Sequence, residues 1–221
     1  MTKNKYYLLI ILIILWLISI CWKTDYTINF SYEKKQVPFL DTIPPSYAKY
    51  NCVKNVPEAY QALFGFVCRY FPELKNEDIT FKTGDINTTM QTRPALSFKR
   101  KYVIILNKNS SRTGVRFDEI PVPAKIGLLA HELSHILDYK DKNFFQLLCL
   151  VPKILSKKGN RAYERGIDKL TIAKGFGLYL KEWAKYTMFN EHISSEYKTL
   201  KINNYLSPRE IDSIIRLSGG Q

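Results

Sequence analysis

Hydrophobic and polar positions divide the chain into unlike stretches. Residues 6–22 read Tyr-Tyr-Leu-Leu-Ile-Ile-Leu-Ile-Ile-Leu-Trp-Leu-Ile-Ser-Ile-Cys-Trp, without a charge. As a helix they cover roughly 25 Å, the short end of what crosses a bilayer. Residues 23–55 turn polar and aromatic, with Pro38, Pro44 and Pro45, and predict a lead-in over a domain surface. Behind Pro57, Ala59, Leu63, Phe66, Val67 and Tyr70 recur at helical spacing, so a helix is expected from near Asn55 to about Tyr70, ended by Pro72. Three strand candidates follow. Residues 79–82 alternate; 88–96 contain Pro94, which suits an edge; 102–106 are apolar and β-branched, as in an interior strand. Pro123 opens a helical pattern to about Tyr139, and another runs from about Arg161 to Leu180, interrupted by Gly175 and Gly177. Ser207-Pro208-Arg209-Glu210 is a capping box with proline at the first helical position, ahead of Ile211, Ile214, Ile215 and Leu217. Helix, small sheet, long helix and further helices make an α+β order.

Residues 6–22 have more than one reading. Tyr6, Tyr7 and Trp22 stand at the ends, where amphipathic rings favour a membrane interface. Lys3 and Lys5 would also suit a cleavable signal, but Ile20, Trp22 and Lys23 offer no small-x-small cleavage site. A lipoprotein signal ending at Cys21 fits Ile20 poorly. The missing cleavage site favours a retained anchor. Lys3, Lys5 and the amino terminus, against Lys23 offset by Asp25, favour a cytoplasmic N-terminus and an extracytoplasmic domain. The expected division is an anchor or uncleaved signal at 1–25, a linker at 26–55 and one globular domain at 56–221. Residues 144–155 are too short to span a bilayer, and Pro152 interrupts them. They predict either a core helix, which length favours, or an amphipathic patch with Lys153, Lys157 and Lys158 at lipid head groups.

Composition narrows the class. The chain has 221 residues, 46% of them hydrophobic, enough for a core without disulfides. Lys and Arg outnumber Asp and Glu by 33 to 20, giving +13. The charges are spread, Lys99-Arg100-Lys101 and Lys157-Lys158 being only short runs, so no nucleic-acid partner is expected and attraction to anionic lipid is the simpler account. Cys21, Cys52, Cys68 and Cys149 show no C-x-x-C spacing, which argues against a cysteine zinc cluster and leaves a Cys52–Cys68 bridge open.

Chemistry concentrates in Leu128-Leu129-Ala130-His131-Glu132-Leu133-Ser134-His135-Ile136-Leu137-Asp138. On a helix His131 and His135 project from one face, one turn apart, and two imidazoles so placed can ligate one Zn2+. Glu132, rotated about 100° from His131, can reach a water at the metal without ligating it, as a general base must. Two of the chain's 3 histidines fall here, in an apolar helix where a glutamate without a task or partner is costly. The third ligand is open among Glu164, Asp168, Glu182, Glu191, His192 and Glu196. Glu164 and Asp168 share a helix face, where one carboxylate could ligate and the other steady an imidazole. His192 could stabilise an oxyanion or could be a surface residue.

His131-Glu132-Leu133-Ser134-His135 followed by Glu164-x-x-x-Asp168 resembles the gluzincin group of zinc metallopeptidases. Residues 161–168, Arg-Ala-Tyr-Glu-Arg-Gly-Ile-Asp, resemble the Arg-x-aromatic-Glu-x-x-Ala-Asp stretch of the CAAX prenyl protease-like branch, with Ile167 in place of alanine. The resemblance covers roughly 79–180. It implies a zincin-like domain with a small, mostly antiparallel sheet and an active-site helix. It further implies zinc on His131, His135 and Glu164, catalysis by Glu132, and a hydrogen bond from His131 to Asp168. A peptide or protein substrate would pair with the edge strand at 88–96. The expected function is zinc-dependent peptide-bond hydrolysis by a single-pass membrane protein. A zinc hydrolase for another substrate, and a silent binding protein of the same fold, are the alternatives.

Overall fold

The computed structural model describes Ser19 and residues 27–32, 37–95 and 100–219. Apart from Ser19, the apolar run 6–22 lies outside the described residues. Among these, no helix is long and apolar enough to cross a membrane. The fold is α+β. Four strands, β1 (Val53–Lys54), β2 (Ile79–Gly84), β3 (Met90–Pro94) and β4 (Tyr102–Asn107), form one sheet. Helix α1 (Glu58–Cys68) lies between β1 and β2. After the sheet come α2 (Val122–Lys140), α3 (Phe144–Leu155), α4 (Lys157–Thr171), α5 (Gly177–Phe189), α6 (Ser195–Asn204) and α7 (Pro208–Gly219).

The strand order is β1-β2-β4-β3. β1 pairs parallel with β2, β2 parallel with β4, and only β3 and β4 pair antiparallel. The sheet is therefore mixed, which corrects the expectation of a mostly antiparallel one. The cause lies in the stretch read as a lead-in. Val53–Lys54 is too short to register as a strand, yet it makes α1 the crossover of a β–α–β unit, and parallel pairing requires such a connection. Asn55, with φ 61°, turns the chain out of β1, so α1 starts only at Glu58. β4 is interior and β3 an edge, as their side chains predict. Backbone bonds pair Thr89 with Asn107 and Ala95 with Lys101, so by alternation the backbone groups of Met90, Thr92 and Pro94 face away from β4. Pro94 thus costs the ladder nothing.

Pro38, Phe39 and Leu40 of the lead-in pack on the domain. The Tyr179 hydroxyl donates to the Pro38 carbonyl at 2.6 Å and accepts from Leu40 N at 2.7 Å, while Phe39 stacks on its ring. Arg100, from the short basic run, donates to the carbonyls of Lys140 and Lys142 and so satisfies the C-terminus of α2. Cys52 and Cys68 are free thiols with sulfurs 2.8 Å apart.

α2 carries the site and is buried from Ile126 through Tyr139. It crosses α5 at Gly127, where any Cβ would come within 2.2 Å of the Tyr179 carbonyl oxygen, so only glycine permits the approach. α4 passes into α5 through a π-helical turn, Ile172–Phe176, with Gly175 at φ 93° absorbing the change of direction. α7 starts at the expected capping box: Ser207 N donates to Glu210 Oε2 at 2.9 Å, and Glu210 N donates to Ser207 Oγ at 3.3 Å.

Candidate metal centre

His131 and His135 stand one turn apart on α2; Glu164 and Asp168 stand one turn apart on α4. A hydrogen bond between the Thr171 and Ser134 hydroxyls, 3.0 Å long, sets the register of the two helices beside them. The result is a triangle. His131 Nε2 and His135 Nε2 are 3.1 Å apart, and Glu164 Oε2 lies 3.3 Å from the first and 3.5 Å from the second. Tetrahedral bonds of about 2.0–2.1 Å separate ligand atoms by about 3.3–3.4 Å, so the triangle has the dimensions of one face of a zinc tetrahedron.

The hydrogen bonds behind the triangle say what its corners present. His131 Nδ1 is 2.9 Å from Asp168 Oδ1, and Asp168 Oδ2 accepts Leu206 N at 2.8 Å. A carboxylate can only accept, so Nδ1 of His131 carries the proton and Nε2 turns a lone pair inward. His135 Nδ1 lies 3.1 Å from the Tyr163 hydroxyl, which donates onward to Asp138 Oδ2 at 3.3 Å. A hydroxyl that donates to Asp138 accepts from His135, so Nε2 of His135 also turns a lone pair inward. Glu164 Oε2 is buried with no hydrogen-bond partner. With both rings neutral, three electron-rich atoms face one point, an arrangement that costs energy unless a proton or a metal cation sits between them.

The electrostatics agree. Burial opposes charge on His131, but Asp168 and Glu164 outweigh it and push its pKa up to about 10. Burial would raise Glu164, yet the two imidazoles hold its carboxyl far below the usual carboxylate range. The cluster favours a positive charge at its centre, and zinc there would release the proton that His131 otherwise keeps. Two imidazoles and a carboxylate are a donor set that zinc accepts. Among the described residues, His131, His135 and Glu164 form the one such group of metal-binding side chains within 4.8 Å of one another.

Glu132 follows His131 on α2 and is 5% exposed. The remaining candidates go elsewhere. Glu182 pairs with Lys185 at 2.9 Å on the surface, Glu191 is exposed, and Glu196 is exposed in the first turn of α6. His192 is exposed in the turn after α5, its backbone N–H bonded to Asn190 Oδ1 at 3.0 Å.

Three residues at the site were not expected from the sequence. Tyr163 and Asp138 hold His135 much as Asp168 holds His131, and Asp138 in turn pairs with the buried Lys142. Tyr205, just after α6, sets its ring 5.5 Å from that of His131. Burial pushes its phenol well up, helped by the Glu164 and Glu132 charges, so it stays a donor at neutral pH. Tyr163 and Asp138 were visible as polar neighbours of the motif residues; nothing in the sequence singles out Tyr205.

No protein-family model matches the chain, and neither a curated protein nor a solved structure does.

Proposed function

We propose that this protein is a gluzincin-type zinc metallopeptidase held to a membrane by residues 6–22, and that it hydrolyses peptide bonds. The observation that carries the metal is the partnerless Glu164 Oε2 between two imidazole nitrogens. Peptide hydrolysis rests on the Glu132 beside them and on the likeness of both motifs to that peptidase group.

Zinc in this triangle would supply Lewis acidity to a scissile carbonyl and to the attacking water. Glu132 takes a proton from that water and returns it to the leaving nitrogen. Asp168 and Tyr163 keep the two imidazoles in the tautomers that ligation needs. Tyr205, beside His131 and still protonated, is a phenol that could donate to the developing oxyanion, a role for which the exposed His192 is less well placed. β3 packs along α2 and turns the backbone of Met90 and Thr92 outward, so an extended substrate could add as a further strand. The balance of Lys3 and Lys5 against Lys23 supports a domain outside the cytoplasm.

The test is cleavage of a casein-like unstructured protein by the full chain in detergent micelles. Activity is expected to vanish on chelation, to return with zinc, and to be lost in Glu132→Gln. Turnover that survives both chelation and Glu132→Gln would defeat the proposal.

A further inference from the structure

α3 departs from the burial pattern of its neighbours. Phe144 is 78% exposed and Leu155 80%, and Phe145, Leu148 and Val151 are exposed too. Positions 144, 148, 151 and 155 follow helical spacing and form one bare apolar face, while Cys149 and Leu150 are buried on the other. A face this apolar on the outside of a domain marks a contact.

Two further observations say with what. From 143 to 163 the chain carries Lys153, Lys157, Lys158 and Arg161 and no acidic residue. Lys157, Lys158 and Arg161 are exposed where α3 gives way to α4. The chain also returns from its apolar N-terminal run at this same place: Ile28 and Phe30 share an apolar groove with Leu150, Lys153 and Gly166. Ile28 lies six positions beyond Trp22, a reach of at most about 21 Å. A bilayer entered by residues 6–22 is therefore close to α3.

We propose that α3 lies in the interface of an anionic lipid leaflet, with Phe144, Phe145, Leu148, Val151 and Leu155 at the acyl boundary and the four basic side chains among phosphates. This reading rests on residues 6–22 being membrane-embedded, and not on the zinc chemistry. α3 joins α2 directly to α4, the two helices that bear the metal triangle. Docking it therefore fixes the site's orientation to the bilayer and selects substrates presented near the membrane surface.

The experiment uses the full chain reconstituted into vesicles of phosphatidylcholine and phosphatidylglycerol that contain a phospholipid with an acyl-chain diazirine. After irradiation, lipid adducts are mapped by mass spectrometry. Adducts are expected on both 6–22 and 144–155. The double variant Leu148→Glu/Val151→Glu should lose the second set and keep the first, and vesicles without phosphatidylglycerol should label 144–155 several-fold less. Adducts confined to 6–22 would overturn the proposal, as would cross-links joining α3 of two copies that the same double variant abolishes. Labelling of 144–155 with 6–22 unlabelled would remove the tether on which the reading rests and so overturn it. Zinc content and turnover do not enter these readouts, so the α3 contact can fail while the peptidase reading stands, and the reverse.

Discussion

Residues 131–138 of α2 and residues 144–155 of α3 are separated by a short turn, and each inverts the usual rule in the opposite sense. The first stretch buries two histidines, a glutamate and an aspartate; the second leaves five large apolar side chains in the open. Departures of this kind are informative, because an ordinary surface has no need of a buried carboxylate and an ordinary helix hides its apolar face. In α2 the buried polar groups of 131–138 other than Glu132 have a protein partner or face the His131–His135–Glu164 triangle. In α3 the exposed face has no protein partner among the described residues. On the two proposals above, the contrast gives the domain two working surfaces, one turned inward toward an ion and one turned outward toward lipid.

The comparison can be broken at either end. The largest effect is expected at the base: Glu132→Gln should retain zinc and lower kcat by ~10²–10⁴-fold in the casein assay. A smaller change in kcat would mean that its burial serves stability. Next, Tyr205→Phe should cost about 10²–10³-fold in kcat with KM little changed, whereas His192→Phe should leave steady-state kinetics as they were. The reverse result would return the oxyanion role to His192. Below these come the residues that orient the imidazoles. Asp168→Asn should weaken zinc ~10–100-fold in a competition titration with a chelating dye, and Tyr163→Phe should weaken it less, because its support is uncharged. The smallest effect belongs to the outer surface. Leu148→Glu/Val151→Glu should shift stability by about 1 kcal/mol or less in urea unfolding, since Leu148 is 46% and Val151 47% exposed. A clear destabilisation would show that this face is covered within the domain.

Local regularities made much of this legible in the sequence. The i, i+4 histidines, the apolar run that became β4, the glycine break at Gly175 and the Ser207–Glu210 capping box are each written within one turn or one strand. Asn143 and Gln146 form a capping box for α3, a local signal of the same kind. What stayed hidden depends on distant parts of the chain. Two residues cannot announce β1, and without β1 the parallel pairing around α1 is invisible. Spacing could not choose which of six candidates joins the two imidazoles, because the choice is made where Ser134 meets Thr171 across α2 and α4. Tyr205 reaches His131 only because the segment after α6 is tied down, with Leu206 N bonded to Asp168 and the Tyr205 carbonyl accepting from Arg165 at 3.1 Å.

The most direct measurement is the zinc content and zinc X-ray absorption spectrum of the full chain purified with zinc supplied, alongside Glu164→Ala. One zinc per chain, coordinated by two imidazoles and oxygen, with the metal lost in Glu164→Ala, is the expected result. A chain that binds no zinc, or a Glu164→Ala variant that keeps its full complement with an unchanged spectrum, would contradict the triangle on which the reading stands.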